Sequence, residues 1–125
     1  MNSFLVVFLG AGFGGALRHG VNVAALRFIG SDFPIGTLAV NVAGSFVMGL
    51  FAAWFALKAD PGQAWRLFLT TGILGGFTTF SAFSLDAVLL WERGQVGAAA
   101  VYVAMSVVLS LLALFAGLLI VRHFS

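Results

Sequence analysis

Asn41 is the only amide in the uncharged run between Asp32 and Lys58, and Ser45 follows it by one helical turn on the same face. In lipid an amide must find hydrogen-bond partners, so Asn41 either ties two helices together or lines a watery cavity. Tyr102, Ser106 and Ser110 are spaced by four, which stacks three hydroxyls along one stripe of an otherwise apolar segment. Such hydroxyls either bond to carbonyls of their own helix or line a polar path. Phe77, Phe80 and Phe83 recur at every third position beside the hydroxyls of Thr79 and Ser84. An aromatic ring carries a positive edge, so an inward ring edge can face an anion that has lost water. With 14 phenylalanines in the chain, most of them must face lipid or pack in the core.

Other chemistries are poorly provided for. No carboxylate falls near the middle of a candidate span, Asp86 and Glu92 lying toward the end of the third, whereas proton-coupled pumps usually hold the travelling proton on a buried acid. Arg18 is the strongly basic residue set well inside a helix-like region, where it either snorkels to the surface or draws anions into a vestibule. Cysteine is absent, and His19 and His123 read as interfacial, so no metal-ligating or catalytic constellation emerges. The sequence is not that of an enzyme.

These residues must be positioned by elements that live in lipid. Of 125 residues 62% are hydrophobic and 8% charged, and the mean hydropathy is +1.12. A soluble domain of this size carries roughly a quarter of its residues as charges and would expose large apolar patches with such a composition. A net charge of +2 from six basic and four acidic residues leaves no basic footprint for nucleic acid, and that class is excluded. The N-terminus lacks a positive region before its apolar run, which fits a retained membrane helix better than a cleaved signal.

Charge spacing predicts four spanning helices in one domain covering residues 1–125, at about 4–28, 33–57, 66–90 and 95–121. Gly10 and Gly14 lie one turn apart on the first, as in close helix packing. Pro34 suits the first turn of the second helix, and Trp54 and Trp65 flank the polar loop that follows it, where aromatic belts sit. The third is unusual. Its paired glycines Gly75 and Gly76 and its cluster of hydroxyls predict a helix interrupted between Gly75 and Thr79, which is tolerated only where protein or a polar cavity covers the break. The fold class is therefore all-α, a four-helix membrane protein with a broken third helix.

An even number of spans puts both termini on one side, which allows the basic residues to be sorted by side. Arg18, Arg27 and Arg93 fall on one, and Lys58, Arg66 and Arg122 on the other. The positive-inside rule then expresses no preference. A chain without bias can insert both ways, and opposite copies can pair about an axis in the membrane plane, as inverted repeats do within single transporter chains. Four helices also enclose little room for a polar path unless a second subunit contributes walls.

Three stretches, residues 10–18 (GAGFGGALR), 34–46 (PIGTLAVNVAGSF) and 72–84 (GILGGFTTFSAFS), resemble the Fluc/CrcB family of fluoride channels, and the resemblance covers essentially the whole chain. Ala82 departs from the hydroxyl residue that many members carry there. The resemblance implies a multi-pass protein of the cell inner membrane, assembled as an antiparallel, dual-topology homodimer in lipid. Two pores would let cytoplasmic fluoride leave passively after neutral HF has entered and ionised. It implies that Asn41 donates to fluoride, that Phe80 and Phe83 line the pores with ring edges, and that Thr79 adds a hydroxyl. Tyr102, Ser106 and Ser110 would continue the polar track, with Arg18 at the vestibule. The carbonyls of Gly75 and Thr78 from each subunit would surround a central structural sodium ion, although carbonyl ligands suit several hard cations. Two other functions compete. A small proton-coupled multidrug exporter would need a glutamate in the first helix, where this chain has glycine and alanine. In a non-transporting scaffold, Asn41 and the hydroxyls would act as structural glue.

Overall fold

The structure, a computed structural model, describes residues 2–124; every regular element among them is helical. α1 spans Ser3–Phe28, with the Asn2 side chain accepting from the Phe4 N–H at its start, and α2 spans Ile35–Leu57 directly after Pro34. The third span, Gln63–Glu92, is in two pieces, α3 (63–77) and α4 (Phe80–Glu92), and α5 spans Val96–His123. All four spans are long and apolar enough to cross a membrane, and most of their large apolar side chains point outward rather than into the chain. That is the distribution expected where lipid, not water, surrounds the helices. The protein is a multi-pass membrane protein.

α2 packs chiefly on α5, and α1 on α3. The α2–α5 seam closes at Gly49 and Gly117, where backbone meets backbone: a Cβ on Gly117 would lie 2.8 Å from the Leu50 nitrogen. Without water to drive helices together, van der Waals contact of this kind supplies much of the association energy. A buried cluster of Leu38, Leu90, Ala99 and Tyr102 joins α2, α4 and α5 near one end of the bundle. At the other end Asp60 ties the α2–α3 loop, accepting from the Gly62 N–H and pairing with Arg66 at 2.9 Å.

The third span is interrupted at Thr78 and Thr79. Both are extended, with φ/ψ of −85°/158° and −154°/124°. Gly75 and Gly76, the residues that advertise the break in the sequence, are themselves helical. Gly76 is small because the Ala11 backbone of α1 lies against it, whereas a Cβ on Gly75 would meet only the Thr70 carbonyl of its own span, at an ordinary contact distance of 3.7 Å. Before the break α3 widens into a π-helix over Leu67–Leu74, the stretch that meets Gly10 and Gly14 of α1. π segments are rare and gather where backbone geometry serves a site.

Candidate functional site

The break leaves backbone groups unpaired in a region where each unsatisfied group costs several kcal/mol. Asn41 answers for Thr79. Its Oδ1 accepts from the Thr79 N–H at 2.8 Å, and its Nδ2 donates to the Thr79 carbonyl at 3.0 Å. Across α2 and the break, one amide side chain thus imitates a strand partner. At the start of α4 the Thr79 hydroxyl caps the new helix by accepting from the Ala82 N–H at 3.2 Å. On the other side, Arg18 of α1 donates from Nε to the Gly76 carbonyl at 3.0 Å, which places a cation at the negative end of α3. Arg18 is half-buried there, engaged with the broken helix.

These bonds release two carbonyls. In an unbroken helix Gly75 would accept from the Thr79 N–H and Thr78 from the Ala82 N–H. Those donors go to Asn41 and to the Thr79 hydroxyl instead. Gly75 is also exposed on the surface of the chain. These two neutral oxygens, among those freed at the break, form a donor set of the kind hard cations prefer.

Beside the break lies an open groove of about 300 Å³ lined by Asn41, Ser45, Thr79, Phe80, Phe83, Ser106, Val107, Ser110 and Leu111. Six of the seven residues expected along a polar path come together in it. Some hydroxyls are spent within their own helix and others are not. Those of Thr70, Thr78 and Ser84 donate to the carbonyl four residues back, at 2.6, 2.9 and 3.0 Å. Ser106 Oγ and Ser110 Oγ are buried and have no hydrogen-bond partner among the described residues. A buried hydroxyl left unsatisfied is costly, and its persistence calls for an occupant or a function. Ser106→Ala and Ser110→Ala are accordingly expected to leave the thermal unfolding midpoint of the purified protein unchanged or raised, since no internal bond is lost. A fall of several degrees would mean that the hydroxyls hold the fold together.

Tyr102, the seventh residue, does not line this groove. It is fully buried, its ring 5.3 Å from Phe83 and edge-on to Phe33 at 5.5 Å, and its hydroxyl donates to Asp86 Oδ2 at 3.2 Å. Through Asp86 it touches a separate cavity of about 330 Å³. Reading from the sequence missed Asp86. The signal available was its spacing of three from Phe83, which sets both on one face of α4. Phe80 is 78% exposed, so the ring expected to line a pore stands on the outside of the single chain and leaves the groove unwalled on that side.

Comparison with known proteins agrees with the resemblance drawn above. The family described as CrcB-like protein, Camphor Resistance (CrcB), matches residues 5–118. The chain is 60% identical over 124 residues to the fluoride-specific ion channel FluC of Methylobacterium nodulans, covering 99% of each. It is 59% identical over 122 residues to FluC of Granulibacter bethesdensis, covering 98% of this chain and 96% of that one. With FluC 2 of Nitrobacter hamburgensis it shares 54% identity over 121 residues, or 97% and 98% of the two chains.

Proposed function

The chain belongs to the CrcB-like protein family, and from that premise we propose that it is a fluoride-selective ion channel that releases cytoplasmic fluoride passively across the cell inner membrane. The observation that carries the proposal is the groove at the helix break, whose buried Ser106 and Ser110 hydroxyls have no partner among the described residues. Anions shed water only where donors replace it. Asn41 spends one N–H on the Thr79 carbonyl and holds a second. With the serine hydroxyls and the ring edges of Phe80 and Phe83 it makes a lining of neutral donors. Such a lining replaces part of the hydration shell without trapping the ion behind a fixed positive charge. No acid lines this groove, which favours an open conduit over a proton-coupled exporter.

The working unit is an antiparallel homodimer. Phe80 projects outward and the groove is open, so a second copy supplies the missing wall. Two copies related by an axis in the membrane plane build two such paths, and the even division of basic residues lets both orientations insert. Gly75 and Thr78 of each copy would meet at that axis. Their released carbonyls would hold a sodium ion, whose charge would bind the two breaks together.

The test is flux. Purified protein in sealed liposomes is expected to release fluoride without a proton gradient while retaining chloride under the same driving force; equal chloride flux would sink the selective-channel reading. Ser106→Ala and Ser110→Ala should slow the efflux despite their undiminished stability. Single cysteines introduced at the α2–α3 loop and at the α4–α5 turn should cross-link only between oppositely oriented copies, and a uniform orientation would remove the antiparallel dimer.

A further inference from the structure

Arg18 is placed to do more than cap a helix. Its Nε binds the carbonyl of Gly76, the peptide next to the released carbonyl of Gly75. Successive Cα atoms are about 3.8 Å apart, so the guanidinium lies within roughly 7 Å of the Gly75 oxygen. That is inside the screening length of physiological salt, and the surroundings are protein and lipid rather than water.

From this juxtaposition we infer that Arg18 sets the charge of the ion accepted at the helix break, admitting a monovalent cation and turning divalent cations away. The inference rests on the reading of Gly75 and Thr78 as cation ligands. Their carbonyls are neutral, whereas sites that retain divalent ions usually offset the charge with carboxylates. Among the described residues no group of three or more His, Asp or Glu gathers to form such a site. The nearest acid on the adjoining helix, Asp86, is engaged with Tyr102, and Asp60 is paired with Arg66 in a loop. Repulsion from a fixed positive charge scales with the charge of the ion, so it weighs twice as heavily on calcium as on sodium, and a second copy doubles it. Arginine does not lose its proton in proteins, so the discrimination should hold across pH.

Thermal unfolding of the purified full chain, in detergent and in a buffer of bulky organic cations, separates the outcomes. Sodium chloride should raise the midpoint of the natural protein, and magnesium or calcium chloride at matched ionic strength should not. Arg18→Gln, which keeps a donor for the Gly76 carbonyl but no charge, should be protected by calcium at a concentration about tenfold or more below that needed for the natural protein. Arg18→Lys, which keeps the charge, should discriminate as the natural protein does. A glutamine variant that still rejects calcium would overturn the inference. Should that variant not fold, a lysine variant that accepts calcium overturns it equally. Failure of every cation to protect the natural protein would remove the Gly75–Thr78 site itself, and Arg18's role with it.

Discussion

Asn41→Ala is expected to lower fluoride efflux from liposomes roughly a hundredfold or more, the largest loss among single substitutions in the groove. The side chain makes both hydrogen bonds that satisfy Thr79 at the break, at 2.8 and 3.0 Å. Removing it strands a half-buried N–H and a half-buried carbonyl, at up to about 1–3 kcal/mol each. The break would then shift to recover partners, carrying Phe80 and Thr79 away from the groove they line. The remaining N–H that Asn41 offers to an ion would vanish as well. Asn41→Asp separates these effects. A carboxylate still accepts from the Thr79 N–H but cannot donate to the Thr79 carbonyl, and its charge repels an anion. Its efflux should be as low as that of the alanine variant while more of the fold survives. Full efflux by either variant, in protein that elutes and melts like the natural one, would assign Asn41 a role outside the path.

The second large effect concerns stability. A Cβ at Gly14 would run into the Ile73 carbonyl and come within 2.9 Å of the Phe77 nitrogen, both backbone atoms with little room to move. Gly12, two residues away on the same helix, faces open space. Gly14→Ala should therefore destabilise the protein by about 1–3 kcal/mol, and Gly14→Leu should leave little folded protein at all. Gly12→Ala should change stability by no more than about 0.5 kcal/mol. Thermal unfolding in detergent measures both. Equal midpoints for the two alanine variants would mean that α1 does not rest on α3 through Gly14, and the placement of the break would lose its support.

Much of the site was legible as residue types. A lone amide in an uncharged span and a hydroxyl every fourth residue on the last helix are conspicuous because lipid penalises both, and Asn41, Ser106 and Ser110 do share the groove. The interruption expected between Gly75 and Thr79 falls at the far end of that interval, at Thr78 and Thr79, while the paired glycines themselves stay helical. Missing side chains serve close packing and broken helices equally well, and only the position of α1 assigns Gly76 to packing and leaves the extended conformation to Thr78 and Thr79. Tyr102 belongs to the same stripe as the serines, yet it sits one turn further along, where α2 and α4 close over it and Asp86 accepts the hydrogen bond from its hydroxyl.

Sequence alone determined that this protein is a set of membrane-spanning helices carrying a few polar groups at depth, because hydration and charge act on each residue wherever its neighbours fall. Tertiary structure decided which of those groups are spent and which are left over. Asn41 meets Thr79 across 38 residues of chain, and Arg18 meets Gly76 across 58. Ser84 bonds to its own helix while Ser106 does not. A hydrogen bond is settled by distance and direction between partners, and periodicity along one helix contains neither.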